Sequence, residues 1–304
     1  MSHTERRNDP IAGALWMLLS CALIAGVATL GRYVAVSGVP PMQAVFLRLF
    51  FAVITMLPLL AWRGRSLAST GQWKVYIVRS AIGLFAMTTW FTGLSLIPVG
   101  EVTAISFLAP LFATVFAALL LGEVIRIRRW AAMLIGFAGA LIILRPGIVE
   151  TSLGTWLIVV SAITMGLSTT FIKRLTNADD PDKVVFISTL LMTPVMLIPA
   201  LYVWEWPPLD VWPYLMLFGP LATFGHVTLA RAFAATEASV VMGLDFARLP
   251  FAVFYGFVVF GEIIDLWTWI GAAVIFGSTV YIARREAVLK KELSAAQTPR
   301  APGL

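Results

Sequence analysis

The sequence predicts an all-α membrane protein of ten transmembrane helices, arranged as two inverted five-helix repeats with both termini cytoplasmic. Three observations predict it. Apolar residues make up 60% of the 304-residue chain and charged residues 12%, against about 45–50% and about 25% in soluble domains. The chain repeats itself at an offset of 139 residues, which lays Trp73 on Trp212, Phe107 on Phe246, Gly122 and Glu123 on Gly261 and Glu262, and Trp130 on Trp269. Lysine and arginine alternate between successive loops in a one-sided pattern. Each copy holds five apolar segments, an odd number, so the second copy must start on the opposite face of the bilayer from the first.

A helix needs about 20 predominantly apolar residues to cross about 30 Å of hydrocarbon. Stretches that meet this run 12–30, 42–62, 75–96, 102–121 and 130–145 in the first copy, and 153–172, 184–203, 212–234, 239–260 and 267–283 in the second. The chain then divides into a cytoplasmic tail (1–11), a first repeat (12–146), a second repeat (153–283) and a second cytoplasmic tail (284–304). Short loops marked by Gly38 to Pro41, Asn177 to Asp182 and Trp206 to Pro208 separate the spans and leave no room for an extramembrane domain. The first segment holds the lone cysteine, Cys21, and lacks a small-residue cleavage pattern, so it reads as a retained span.

Sixteen of the 22 Lys and Arg residues fall in the tails and one alternate set of loops, from Arg6 and Arg7 through Arg63, Arg126 and Lys173 to Arg300. The opposite set holds Arg32 and Arg145. Cytoplasmic loops collect positive charge, which puts both termini inside. The net charge of +6 is thereby a topology signal; binding to nucleic acid would need the cations clustered on one face. Tryptophans 62, 73, 130, 204, 206, 212, 267 and 269 sit near segment ends, where the amphipathic ring prefers the headgroup level. Trp90 lies deep in the third span, as packed core or as the wall of a binding site.

Ionisable groups in hydrocarbon cost about 2.5–3.5 kcal/mol each at mid-span, so each needs a reason. Arg79 and Arg32 lie near span ends and can snorkel to the interface. Glu123 and Glu262 hold matching places on opposite faces and read as turn anchors or helix caps. Arg48 and Glu101 share one leaflet, where they line a site or neutralise one another. His226 sits near the middle of the eighth span, where an ordinary pKa near about 6.5 suits proton exchange; a ring satisfied by a neighbouring carbonyl is the alternative. Arg231 follows five residues later and projects nearly opposite. Asp245 and Arg248, spaced i,i+3, can meet on one helical face.

Pro250 follows Arg248, and Pro110 holds the near-equivalent place in the first copy. Each proline removes a backbone donor and tends to kink its helix. Irregular backbone at membrane depth survives where protein or a watery cavity satisfies it, so the paired breaks point to a central cavity. The cluster Asp179, Asp180 and Asp182 reads as a solvated loop. Two histidines, His3 and His226, cannot build a metal site, and no phosphate-binding loop or nucleophile elbow is present, so neither metal nor cofactor is expected.

The segments Pro110 to Glu123 (PLFATVFAALLLGE) and Pro250 to Glu262 (PFAVFYGFVVFGE), each followed by a Trp-containing helix rich in small residues, resemble the EamA repeat of the drug/metabolite transporter superfamily. The resemblance covers nearly the whole chain. It implies a ten-helix inner-membrane carrier whose central cavity is lined by helices of both halves, and it is nearly silent on substrate. The second copy departs from the first by carrying Asp245, Arg248, His226 and Arg231 where the first has Ser, Ala, Met and Thr.

The expected function is therefore a secondary transporter that moves a small polar or zwitterionic metabolite, such as an amino acid, an S-adenosylmethionine-like or a vitamin-like compound, across a bacterial inner membrane by alternating access. Arg248 and Arg231 would meet an anionic group, Trp90 an apolar part, with Arg48 nearby; Asp245, Glu101 and His226 are the candidates for proton coupling. Expected partners are the substrate and the lipid bilayer, with no nucleic acid; a homodimer is left open. The competing classes are a polytopic membrane enzyme acting on lipid, which would need a carboxylate cluster or histidine near one interface, and a passive channel.

Overall fold

The computed structural model describes residues 10–64, 70–121, 127–144, 152–176, 179, 181–235, 247–277 and 281. Among them the fold is all-helical. The elements are α1 (Pro10–Val36), α2 (Pro41–Arg63), α3 (Trp73–Leu96), α4 (Val99–Ser106), α5 (Ala109–Leu121), α6 (Ile127–Leu144), α7 (Leu153–Thr176), α8 (Pro181–Tyr202), α9 (Trp212–Ala235) and α10 (Arg248–Phe260). A further apolar helix, α11, covers Leu266–Gly277.

Six stretches are long and apolar enough to cross a membrane: Ile11–Val36, Pro41–Pro58, Trp73–Leu96, Val99–Leu120, Leu153–Ile172 and Asp182–Tyr202. Shorter apolar helices cover Leu134–Ile143, Arg248–Phe260 and Leu266–Gly277. With 24 residues, α9 has the length to cross, but Pro213, Pro220, His226 and Arg231 dilute its apolar character. Large apolar side chains such as Leu15, Phe85, Leu134, Phe254 and Phe257 are exposed. A soluble protein would hide so many; here they face lipid.

Punctuation of the helices follows residue chemistry. Pro41 opens α2, where its fixed φ suits the first turn and its missing N–H has no partner to lose. Gly38, at φ 89°, makes the turn before it. Gly261 ends α10 in the left-handed region at φ 68° and ψ 18°, a conformation that glycine adopts without a Cβ clash. That reversal turns Glu262 back over the bundle, where its N–H reaches the Gly256 carbonyl.

The prolines expected to break helices stand in first helical turns. The fourth span is interrupted at Phe107 and Leu108, whose N–H groups bond the carbonyls of Ala104 and Ile105. Pro110 is the second residue of α5, and Pro250 is the third of α10. In a first helical turn a proline forfeits no intrahelical hydrogen bond, so each begins a helix without kinking one. Residues 236–246, which precede α10, lie outside the described residues.

Elements distant in sequence pack together. Helix α1 lies against α9 and α10, whereas α7 lies against α3, α4 and α5. Helix α2 bridges α8 and α9. Glycine permits the closest approaches: a Cβ on Gly219 of α9 would strike the backbone of Phe51 and Ala52 in α2, and Gly93 and Gly154 bring α3 and α7 together. Two buried serines link helices directly. Ser20 of α1 donates to the Gly225 carbonyl of α9 at 2.9 Å, and Ser161 of α7 donates to the Ala86 carbonyl of α3 at 2.8 Å.

Candidate functional site

His226 on α9 is the titratable ring among the candidate residues. Its Nδ1 lies 2.7 Å from the Ala222 carbonyl one turn earlier. A carbonyl only accepts, so Nδ1 carries the proton and Nε2 is left to take or release one. The residue remains exposed despite its place along the helix. The charges that act on it come from three other helices: Arg48 on α2, Arg248 on α10 and Arg79 on α3.

Aromatic and sulfur-bearing side chains seat these arginines. The Arg48 guanidinium lies 5.8 Å from the Phe91 ring centre, and its Nη1 is 2.6 Å from Met87 Sδ. Met87 precedes His226 by the repeat offset of 139 residues, so equivalent positions of the two halves meet the same region. The Arg248 guanidinium is 5.8 Å from the Phe107 ring centre, beside the interruption of the fourth span. Arg79 turns along α3 toward Gly83, its Nη1 3.9 Å from Met192 Sδ on α8. Cation–π contacts of this kind hold a guanidinium by its face.

The other expected residues fall in different places. Trp90 Nε1 donates to Ser106 Oγ at 3.0 Å, and its ring meets Phe91 edge-on with centres 4.9 Å apart. The indole is thus tied to the last turn of α4. Glu101 is half-buried in the first turn of α4. Arg48 is held by Met87 and Phe91, so the Arg48–Glu101 neutralisation that the sequence allowed does not form. Arg231 stacks 5.0 Å from the Trp16 ring centre, away from the charges that act on His226. Asp245 and Glu123 lie outside the described residues. Arg79, read from sequence as a snorkelling side chain, instead points inward. Gly83, one turn on, makes room for the Met192 methyl beside it.

Each end of the bundle is fastened by a carboxylate. At one end Glu262 pairs with Arg32 Nε at 2.5 Å and accepts from the Val99 N–H at 2.9 Å. Arg32 also donates to the carbonyls of Leu94, at 2.9 Å, and Ile97. At the other end Asp179 accepts from Thr70 Oγ1 at 2.7 Å, Tyr76 OH at 3.1 Å and Lys183 Nζ at 3.0 Å. Burial pushes the Asp179 carboxyl up, but hydrogen bonds from Thr70, Lys183 and Tyr76 outweigh it and hold the group below the ordinary value. Asp179 is therefore a fastening and not the solvated loop residue that the sequence implied.

A multi-pass helical bundle with lipid-facing apolar flanks and charged side chains within its spans defines an integral membrane protein. The chain belongs to the EamA-like transporter family, whose sequence pattern matches residues 11–145 and 152–284. It is 32% identical over 284 residues to the riboflavin transporter of Vibrio cholerae, covering 92% of this chain and 95% of that one. It is 27% identical over 281 residues to the S-adenosylmethionine uptake transporter of Rickettsia bellii, covering 92% and 96%. A solved crystal structure shares the fold, with a TM-score of 0.61 at 19% identity over 92% of this chain and 99% of its own. The protein is a small-metabolite transporter and not an enzyme.

Proposed function

We propose that the chain is a secondary carrier in a bacterial inner membrane. It moves a small polar or zwitterionic metabolite by alternating access, as two inverted repeats (12–146 and 153–283) rock about the region of His226 with both termini in the cytoplasm. The observation that carries this reading is a matched pair of contacts. Ser20 bonds the Gly225 carbonyl, and Ser161 bonds the Ala86 carbonyl. Exchange the halves, and one contact becomes the other within two residues of register. Helix pairing obeys the same exchange: the first helix of each half lies on the third and fourth spans of the other. This mutual grip supports two bodies that can rock about a shared axis.

In this reading Arg248 and Arg48 orient the substrate, Trp90 walls its apolar part, and Arg231 attracts it at one mouth. His226, Glu101 and Asp245 are the proton-coupling candidates. Reconstituted protein in vesicles preloaded with riboflavin, S-adenosylmethionine or an amino acid should take up the labelled compound faster than empty vesicles. Flux indifferent to the trans compound would indicate a pore and overturn alternating access. Normal transport by both Asp245→Asn and Arg248→Ala would remove those residues from the site.

A further inference from the structure

Arg48 and Arg79 present a charge problem that their helices do not solve. Arg48 Nη1 has Met87 Sδ as its acceptor, and Arg79 Nη1 has Met192 Sδ. A thioether is a weak acceptor and carries no countercharge, whereas a guanidinium offers five N–H donors and one full positive charge. Both Nε atoms are shut off from solvent without an acceptor. Among the described residues no carboxylate pairs with either arginine. Glu262 is engaged with Arg32 at one end of the bundle, and Asp179 with Lys183 at the other.

Depth along the bundle gives the pair a direction. Arg48 lies seven residues into α2 from the Glu262 end, and Arg79 lies six residues into α3 from the Asp179 end. The two arginines thus sit at different depths, one toward each end of the bundle. A zwitterion or a cation placed against these two arginines would set its positive charge beside guanidiniums that no described carboxylate pairs with. An acid would not, and guanidinium edges suit the paired oxygens of carboxylate and phosphate.

We infer that the transported metabolite is a net organic acid bearing a carboxylate or phosphate, and that Arg48 and Arg79 receive its acidic group, one nearer each mouth. This rests on the carrier reading and narrows its substrate class. Arg79 is then a specificity residue.

The test uses full-length purified protein and compounds that differ in the acidic group alone: riboflavin against riboflavin 5′-phosphate, and an N-acetyl amino acid against its amide. Inorganic phosphate serves as the ionic control. The acid of a pair should bind at least about tenfold tighter than its neutral partner, and Arg79→Gln should shrink that gap to about threefold or less, with Arg79→Lys between. Neutral partners that bind as tightly as the acids would overturn the inference, and so would an Arg79→Gln protein that keeps the full gap. Inorganic phosphate binding as tightly as the organic acids would reduce the site to a counter-ion site and equally overturn it. Should Arg79→Gln fail to fold, sodium chloride titration of the unaltered protein decides: acid binding must weaken with salt while neutral binding does not. Counterflow of the neutral compounds without preference for acids would leave the carrier standing and sink the acid. Absence of binding and counterflow for every compound would sink both.

Discussion

The Glu262 end and the Asp179 end of the bundle are each fastened by one carboxylate joining segments from both halves of the sequence, yet they hold different things. The paired side chains are similarly enclosed, at 15% and 11% exposure for Arg32 and Glu262 and at 18% and 9% for Lys183 and Asp179. At the first end the pair ties off peptide groups: the Val99 N–H that opens α4 and the carbonyls of Leu94 and Ile97 that close α3. At the second, every partner is a side chain, namely two hydroxyls and an ammonium. A released hydroxyl or ammonium rotates to find water, whereas a peptide group at a helix junction is fixed in place and stays unpaired. The Asp179 end is therefore the softer one, and partner chemistry makes it so, since burial is nearly the same. If the halves rock as proposed, that difference would bias which end opens first.

Glu262→Ala carries the largest expected effect. It strands the Arg32 guanidinium and the Val99 N–H together, and breaking a buried pair from one side costs about 3–5 kcal/mol. Glu262→Gln keeps an acceptor for Val99 while losing the charge, so its loss should fall between the alanine variant and the parent. Unfolding of the detergent-solubilised proteins, followed by tryptophan fluorescence, reads both. A loss below about 1 kcal/mol for Glu262→Ala would put the pair among ordinary surface ion pairs and erase the contrast between the ends.

The softer end should respond less and should respond to acid. Asp179→Asn is expected to cost about 1 kcal/mol or less. The Asp179 carboxyl is held below its ordinary value in the folded protein. Its contribution is thus complete above the unfolded carboxylate pKa of about 3.9 and disappears as pH falls through the lower folded value. The melting temperatures of the parent and of Asp179→Asn should differ by a constant amount above about pH 5 and converge below about pH 4. A gap that persists unchanged to pH 3 would show that the ionised form of Asp179 contributes nothing to the fastening.

The contrast between the ends was only partly legible in the sequence. The repeat marked Glu262 as a structural carboxylate, because Glu123 occupies the matching position. Its partner was hidden, since Arg32 lies far away in the chain and reads by itself as a snorkelling residue. Asp179 was obscured by its acidic neighbours, which give any such loop a solvated appearance, and the hydroxyls that hold it are supplied by Thr70 and Tyr76 on a different connection. The central site shows the same pattern. Arg48, His226 and Arg248 stand out because charge in an apolar segment is conspicuous in one dimension. Arg79 did not, because its contact is with Met192 of another helix, and sequence spacing does not report which helix lies alongside. The interruption at Phe107 and Leu108 was displaced in the reading toward Pro110 for a related reason: proline marks the start of the next helix as readily as the end of the last.

A finer comparison sets the two halves against each other. Ser20 and Ser161 are both fully buried, and each donates to a carbonyl of the other half at nearly the same distance, 2.9 Å and 2.8 Å. Each acceptor sits within a helix, so the serine adds to a carbonyl's bonding without being its sole partner. The expected loss on substitution is accordingly small, about 0.6 kcal/mol, the average for side-chain hydrogen bonds between helices in a membrane. If the halves are equivalent bodies, Ser20→Ala and Ser161→Ala should lose the same amount within about 0.5 kcal/mol, and the double variant should lose the sum because the sites share no partner. Unequal losses would mean that one half grips the other more firmly. Rocking would then be the movement of one body against a fixed frame, and the matched contacts would reflect shared ancestry of the halves more than shared mechanics.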